Sequence, residues 1–219
     1  MSQATRVSHA ERTNLSDKKM LATAISLIVE RGTDKTTLKD VGERAGYSRG
    51  LAGYRFGSKA GLFEFIVRSV GEQWLTDLKR VTEGRIGFEA MCRAIDEHRR
   101  FCIEASDALR AFYILWFESI GVQSPVKAVI ASIHERRRRD VERWLAPLPA
   151  SGLRAHPADI AGQFNATILG IAYQWLSEPA SSELITNLHD ELKRNVRFYF
   201  NEVPVGAERD SAQSNGIHT

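Results

Sequence analysis

Apolar residues recur every three or four positions along most of the chain, which is the spacing of one face of an α-helix. In the first such segment, Leu21, Ala24 and Ile28 keep this spacing, and Gly32 stands where a helix commonly ends in a left-handed cap. The pattern predicts a first helix over about residues 17–31. No segment shows the strict alternation of apolar and polar residues that predicts a β-strand. We therefore expect an all-α protein.

The same periodicity, together with capping residues, predicts eight further helices. Two short helices are expected over residues 38–45 and 48–54, capped by Thr36 or Thr37 and by Ser48. A longer helix follows, with Ser58 as its cap and with one apolar stripe of Leu62, Phe63, Ile66, Val70 and Trp74. The remaining helices are expected at about residues 88–104, 107–120, 125–146, 158–177 and 181–202.

The formal net charge is only +3, but the charges are distributed unevenly along the chain. Residues 1–60 hold eleven Lys or Arg and six Asp or Glu, whereas the remaining residues hold nineteen and twenty-one. A basic amino-terminal quarter on a slightly acidic body indicates that this end of the protein meets a polyanion such as nucleic acid.

The sequence contains no run of about 18 uncharged apolar residues, which a transmembrane helix requires. The first twenty residues lack the apolar core of a secretory signal, so we expect a cytoplasmic protein. Cys92 and Cys102 lie ten residues apart on one predicted helix, too far along its axis to form a disulfide. We expect both to be small buried apolar residues rather than redox groups or metal ligands.

Helical metal-ligand patterns and phosphate-binding glycine loops are missing from the sequence. None of the six histidines forms a Glu-x-x-His or His-x-x-x-His pattern, and the chain has no Walker lysine loop and no Gly-x-Gly-x-x-Gly. We therefore expect no catalytic residue, no metal and no cofactor. The alternative that remains is an all-α small-molecule-binding protein or enzyme without a role at DNA.

The most informative segment is residues 36–59, in which two short helices are joined by Ala45-Gly46-Tyr47. This arrangement predicts a helix-turn-helix, whose second helix lies in the major groove of DNA. The residues expected in its core are Leu38, Val41, Ala45, Leu51 and Phe56. The residues expected to face outward from the second helix are Arg49, Gly50, Ala52, Tyr54 and Arg55.

The segment over about residues 15–67 resembles the TetR family of bacterial transcriptional repressors. The motifs that carry the resemblance are Glu30-Arg31-Gly32, Thr36-Thr37, Ala45-Gly46-Tyr47-Ser48 and Phe56-Gly57-Ser58-Lys59 followed by Leu62-Phe63. The resemblance implies a homodimeric repressor that binds double-stranded operator DNA and leaves it when a small-molecule effector enters the second domain. The DNA-binding residues that it implies are Thr37, Ser48, Arg49, Gly50, Leu51, Ala52, Tyr54, Arg55 and Lys59.

Two departures from the family pattern bear on DNA binding. Gly53 stands where the family usually has the first residue of an aromatic pair, which removes one expected phosphate contact. Arg55 stands where a His is frequent, and we expect it to contact the DNA backbone. Arg49 is expected to contact a base, because a bidentate Arg–guanine contact adds about 1–3 kcal/mol of base discrimination.

The resemblance divides the chain into four parts: a flexible arm at 1–14, a helix-turn-helix domain at 15–60, an effector-binding and dimerisation domain at 61–203 and a disordered tail at 204–219. Aromatic residues of the third part predict a cavity for a hydrophobic or aromatic effector. The residues assigned to this cavity are Trp74, His98, Phe101, Phe112, Tyr113, Trp116, Phe117, Phe164, Asn165 and Ile168. For each single aromatic residue, plain core packing is the alternative.

The last two helices carry stripes of small and apolar residues that predict a four-helix dimer interface. The residues assigned to it are Gly162, Ala166, Gly170, Tyr173, Leu184, Leu188, Leu192 and Val196. The alternative is that both stripes face the core of their own subunit. The basic run Arg136–Arg139 is interpreted as a solvated helix face rather than a nucleic-acid patch. Its expected i, i+4 ion pairs are Glu135–Arg139, Arg136–Asp140 and Arg138–Glu142.

Overall fold

A computed structural model describes residues 9–121, 123–177 and 182–201. Within these residues the chain forms nine α-helices and no strand, which confirms the all-α prediction. The helices are α1 His9–Arg31, α2 Leu38–Arg44, α3 Arg49–Phe56, α4 Lys59–Thr82, α5 Gly87–Glu104, α6 Ser106–Ser119, α7 Pro125–Leu145, α8 Pro157–Ser177 and α9 Ser182–Val196. No helix in the described part of the chain combines the length and apolar character that a membrane span needs.

Local sequence signals account for several helix boundaries. Gly32 adopts φ 81° and ends α1, while the Thr37 hydroxyl accepts the Asp40 N–H at 3.2 Å and caps α2. The Ser58 hydroxyl accepts the Gly61 N–H at 3.0 Å at the start of α4. Ser48 also occupies the capping position of α3, but its side chain makes no capping hydrogen bond, so the predicted cap is wrong in that respect.

Two helix ends differ from the prediction. Helix α1 begins at His9, so residues 9–14 of the expected flexible arm are helical; residues 1–8 and the tail from 202 onward lie outside the described residues. Helix α9 ends at Val196 rather than near residue 202. Beyond it the Asn201 N–H donates to the Gly152 carbonyl at 3.0 Å, and the Arg154 N–H donates to Tyr199 at 3.0 Å. These partners lie far away in sequence, so local periodicity does not reveal them.

The chain divides into two compact units. The first unit comprises the described residues before Gln73 together with Ser106–Ala131, and the second comprises Gln73–Ala105 together with those from Ser132 onward. Helix α6 therefore packs within the same unit as the helix-turn-helix, although it lies within residues 61–203, the range predicted for the second domain. It packs on α1, and the Thr33 hydroxyl donates to Glu118 Oε1 at 2.9 Å.

In the second unit, α5, α8 and α9 pack on one another. Leu192 and Val196 are only 4% and 0% exposed within a single chain. Both therefore pack in the core of their own subunit, and their assignment to the dimer interface is wrong. The four-residue stripe on α9 is therefore not one surface, because its carboxy-terminal half faces inward.

Candidate functional site

The helix-turn-helix is held together by a close approach of α2 and α3. Gly46 adopts φ 82° in the turn, and the Tyr47 N–H donates to the Gly42 carbonyl at 2.9 Å. A Cβ atom on Gly42 would lie 3.0 Å from the Ser48 carbonyl oxygen and 3.6 Å from Ala52 Cβ. Ala52 is fully buried at this contact, so the prediction that it faces outward to DNA is wrong.

The opposite side of α3 is open. Tyr54 is 89% exposed, Gly50 and Arg55 are also exposed, and Leu51 is half-buried. The side chain of Arg49 lies outside the part of the structure that is described. The exposed surface of α3 is thus formed by residues of the predicted set, with a bulky aromatic side chain at its centre.

Arg55 forms an ion pair with Asp17 of α1. Its Nε donates to Asp17 Oδ1 at 2.8 Å, and a second hydrogen bond joins Nη2 to Oδ2. The hydrogen bond to Asp17 raises the pKa of the Arg55 guanidinium above its usual value. The pair joins α3 to α1, and Arg55 has to exchange this carboxylate for a phosphate in order to bind the DNA backbone.

Two further predicted DNA-binding residues stand at helix starts. The Thr37 hydroxyl, besides capping α2, donates to Asp40 Oδ2 at 2.8 Å, and Thr37 and Arg31 together hold the pKa of Asp40 below its usual value. Lys59 Nζ donates to the Asp34 carbonyl at 3.1 Å at the start of α4. Helix N-termini carry partial positive charge and free N–H groups, which favour an anion such as phosphate.

The second unit encloses a narrow cavity of about 10 Å³, which is roughly the space one water molecule needs. Its lining residues are Trp74, Leu78, Ala94, Arg137, Val141, Trp144, Phe164, Asn165 and Ile168. Four of the predicted effector residues thus meet at one cavity: Trp74, Phe164, Asn165 and Ile168. His98 and Phe101 lie behind its wall, with ring centroids 5.5 and 5.3 Å from that of Trp74.

The other predicted effector residues belong to the first unit. Phe112, Tyr113, Trp116 and Phe117 all lie on α6 and contact one another, with Trp116 and Phe117 stacked at 5.6 Å. None of the four lines the cavity described above. Residue type alone predicts that they line the effector cavity, but they belong to the first unit and the cavity to the second.

Arg137 is a cavity residue outside the set predicted from the sequence. It belongs to the basic run that was interpreted as solvated, yet it is only 8% exposed, and its guanidinium carbon lies 5.8 Å from the centroid of the Trp74 ring. A signal is present in the sequence, because one stripe of buried residues on α7 keeps a three- and four-residue spacing: Val126, Ile130, Ile133, Arg137, Val141 and Trp144. Arg137 occupies a position of this inward stripe.

The rest of the basic run is paired at the surface. Arg139 Nε lies 3.0 Å from Glu135 Oε1, as expected, and Arg138 also pairs with Glu135, at 2.6 Å, rather than with Glu142 as predicted. Arg138 thus pairs with the carboxylate three residues before it and not with the one four residues after it. The side chains of Arg138 and Arg139 are both well exposed, which agrees with a solvated face around the buried Arg137.

A buried cluster of His98, Cys102 and His189 joins α5 to α9. His189 Nδ1 lies 2.6 Å from the Ile185 carbonyl and therefore carries the proton, so its Nε2 accepts from His98 Nδ1 at 2.8 Å. Burial lowers the pKa of both histidines and raises that of the Cys102 thiol to about 12. Both histidines are neutral in this arrangement, and the thiol is protonated. The prediction that Cys102 is a small buried residue is confirmed, while Cys92 is half-buried.

Helix α8 presents an open face of small residues. Gly162 and Ala166 are exposed, Tyr173 is 58% exposed, and a Cβ atom on Gly162 or Gly170 would have no other heavy atom within 4 Å. Leu184 and Leu188 of α9 are half-buried. These six residues of the predicted interface retain surface that a second chain can cover.

Comparison with known proteins supports both the motif and the fold. The family model described as bacterial regulatory proteins, tetR family, matches residues 20–66. A search of curated proteins found no match.

Solved structures of low identity share the fold. A transcriptional regulator from Rhodococcus sp. Rha1 is 18% identical, with 86% of this chain and 100% of that one covered and a TM-score of 0.72. The protein in the SmeT–triclosan complex is 21% identical, the match covers 88% of this chain and 94% of that one, and the TM-score is 0.69. NalD of Pseudomonas aeruginosa is described as the secondary repressor of the MexAB-OprM multidrug efflux pump. It is 19% identical, the match covers 89% of this chain and 100% of that one, and the TM-score is 0.68. Residues 20–66 thus match the DNA-binding domain of the tetR family of bacterial regulatory proteins, and this match supports a DNA-binding transcriptional regulator.

Proposed function

We propose that the protein is a repressor that binds its operator as a homodimer and is released by a small hydrophobic or aromatic effector. The observation that carries the DNA half of this proposal is the open face of α3, with Tyr54 89% exposed beside Arg55 in a domain of the tetR family. Repression follows when a bound dimer occludes a promoter.

In the proposed complex, α3 enters the major groove and the helix starts hold the phosphates. Arg49 contacts a base, together with Gly50 and Leu51, whereas Tyr54 and Arg55 contact the backbone. Thr37, Ser48 and Lys59 anchor phosphates at the starts of α2, α3 and α4. Ala52 is left out, because its side chain has no free surface.

Dimerisation is proposed through the open face of α8. Small residues at Gly162, Ala166 and Gly170 permit close helix approach, and Tyr173 supplies apolar area beside them, with Leu184 and Leu188 at the margin. Two recognition helices in one dimer read half-sites about 34–36 Å apart, which a single chain cannot do.

The effector is proposed to bind in the cavity of the second unit. Its lining is mostly apolar, and a cavity of about 10 Å³ has to widen before an organic molecule fits. The similar protein SmeT is known as a complex with triclosan. Because α4 is one helix from Lys59 to Thr82, displacement of Trp74 or Leu78 is carried toward its DNA-binding end. The effector acts by its higher affinity for the form that does not fit the operator.

The test is a mobility shift of purified protein on the DNA that flanks its own gene, with a salt series and excess competitor DNA. We expect a specific, salt-sensitive complex of dimer stoichiometry, which Arg55→Gln weakens and Arg139→Gln leaves unchanged. Arg139 is the matched control, because it is an exposed, carboxylate-paired arginine of the second unit. Binding that competitor DNA abolishes at every site tested would contradict the proposal and favour a small-molecule-binding protein without an operator.

A further inference from the structure

The buried cluster of His98, Cys102 and His189 has the composition of a metal site. His98 and Cys102 are four residues apart on α5, so they lie on one face of that helix, and His189 meets them from α9. One possible ligand atom from each residue lies within 4.8 Å of those of the other two. The sequence predicts no metal ligand here, because local spacing does not show that a residue of α9 joins the pair on α5.

The spacing of these atoms is close to that of three ligands around one ion. His98 Nδ1 lies 2.8 Å from His189 Nε2 and 3.8 Å from Cys102 Sγ. Three ligands in one plane, with bonds of about 2.0–2.1 Å to nitrogen and about 2.3 Å to sulfur, place two nitrogens about 3.5 Å apart and nitrogen and sulfur about 3.8 Å apart. The nitrogen–sulfur distance already fits, and the two nitrogens have to separate by about 0.7 Å.

The proton positions suit His189 as a ligand. Its Nδ1 donates to the Ile185 carbonyl at 2.6 Å, which leaves a lone pair on Nε2 that faces His98. A metal-binding histidine typically donates its other N–H in this way, and the hydrogen bond fixes the orientation of the ring. His98 has to exchange its proton from Nδ1 to Nε2 before Nδ1 can bind an ion, and this exchange leaves the imidazole neutral.

The charge of the surroundings selects among ions. The three side chains are only 0–3% exposed, so a net charge at the cluster loses nearly all contact with water. Asp96 and Asp190 are acids that act electrostatically on His189. Both are paired with Arg99 at 3.1 Å, so their charge is already compensated. The thiolate of Cys102 is then the group that offsets the charge of a bound ion: Cu(I) with one thiolate has no net charge, whereas Zn²⁺ keeps one positive charge.

We propose that His98, Cys102 and His189 bind one Cu(I) ion in a three-coordinate site between α5 and α9. Thiolate ligands favour Cu(I), and imidazole suits copper as well. On binding, the Cys102 S–H bond breaks, a copper–sulfur bond forms and the proton passes to solvent, while the copper stays Cu(I). Without metal the thiol is protonated, because burial raises its pKa to about 12, and coordination removes this proton. The inference goes beyond the proposed function, because it involves neither DNA nor an organic effector.

The test is a titration of the reduced, metal-free protein with Cu(I) in the absence of oxygen, in competition with the coloured Cu(I) chelator bathocuproine disulfonate. We expect each wild-type chain to withdraw one Cu(I) from the chelator and to release one proton. Cys102→Ala should weaken binding by more than about hundredfold, because the loss of a mere hydrogen-bond partner of a ligand already costs about 10–100-fold in affinity. Cys92→Ala is the matched control and should bind like the wild type, since Cys92 is the other cysteine of α5 and is half-buried.

Two further measurements separate metal ligands from a purely structural cluster. His189→Gln removes one imidazole and should also weaken Cu(I) binding, and urea unfolding of each metal-free variant shows whether it still folds. Long-range ¹H–¹⁵N NMR spectra of the histidine rings in the wild-type protein should show the His98 proton on Nδ1 without metal and on Nε2 with it. If a variant fails to fold, the wild-type stoichiometry and this proton position decide.

Loss of binding in folded Cys102→Ala and His189→Gln, but not in Cys92→Ala, would support the site. No withdrawal of Cu(I) by the wild type, loss in Cys92→Ala instead, or an unchanged His98 proton would overturn it and leave the cluster as a hydrogen-bonded contact between α5 and α9. A Zn²⁺ site that depends on the same residues, without Cu(I) binding, would overturn the choice of ion and the charge argument behind it. No DNA is present, so failure of this inference is distinct from failure of the proposed repressor.

Discussion

Replacing Asp17 with Asn tests whether the ion pair between α1 and α3 competes with DNA for Arg55. In the free protein both hydrogen bonds of the pair are made, with Nε to Oδ1 at 2.8 Å. The Arg55 side chain nevertheless remains 42% exposed, so solvent and salt reach the guanidinium. The variant keeps the shape of the side chain and removes its charge.

The expected magnitude follows from that exposure. Partly exposed ion pairs stabilise a fold by about 0.2–1 kcal/mol, so Asp17→Asn should lower the free energy of unfolding by no more than about 1 kcal/mol. When Arg55 binds a phosphate, the wild-type protein has to give up the same interaction. Freed of it, the variant should bind operator DNA up to about fivefold more tightly, the equivalent of about 1 kcal/mol.

The assay is the operator mobility shift at low and high salt, with urea unfolding of each variant alongside. Glu30→Gln is the matched control, because Glu30 pairs with Arg44 at 2.6 Å and its loss changes the net charge equally. A gain confined to Asp17→Asn would support the competition. Equal gains in affinity for both variants would show that only the change in net charge matters. Weaker DNA binding by Asp17→Asn at unchanged stability would refute the reasoning and show that Asp17 orients Arg55 for DNA.

Four other variants or conditions give further tests. Lys59→Ala should lower the slope of log affinity against log salt by about one, because one phosphate contact is lost; an unchanged slope removes Lys59 from the contacts. Gly53→Ala should raise the free energy of unfolding by up to about 1 kcal/mol, since its added Cβ meets no atom within 4 Å and helix propensity improves; thermal unfolding measures this. Leu192→Ala should lower the free energy of unfolding by about 2–5 kcal/mol, because the Leu192 side chain is only 4% exposed within its own chain. Urea titrations should show this loss at every protein concentration; a loss that depends on protein concentration would place Leu192 at the dimer interface. Burial lowers the pKa values of His98 and His189 below 6.5, so the folded protein holds both imidazoles neutral. The free energy of unfolding is therefore highest above pH 6.5 and falls as the pH drops below 6.5, where the unfolded chain binds protons more readily. Urea midpoints at pH 7.5 and 5.5 should differ by the equivalent of about 1–3 kcal/mol, and less in His189→Gln.

The sequence alone determined the features that depend on neighbours along the chain. Helix periodicity, the Gly32 cap and the Thr37 cap involve residues within four positions of one another. The helix-turn-helix was predictable for the same reason, because residues 36–59 contain the whole motif. Its outward residues were nearly all predicted, apart from Ala52, whose small size suits both an open surface and a close helix contact.

The tertiary structure decided which helix faces meet. Arg137 belongs to a run of four arginines; helical spacing places it on the inward stripe of α7, but only the tertiary packing brings it to Trp74. His98 and His189 are 91 residues apart in sequence, and their hydrogen bond exists because α5 packs on α9. The α6 aromatics and the end of α9 were misjudged for a related reason. Periodicity identifies a buried face but not its partner, since the partner is chosen by contacts between segments distant in the chain.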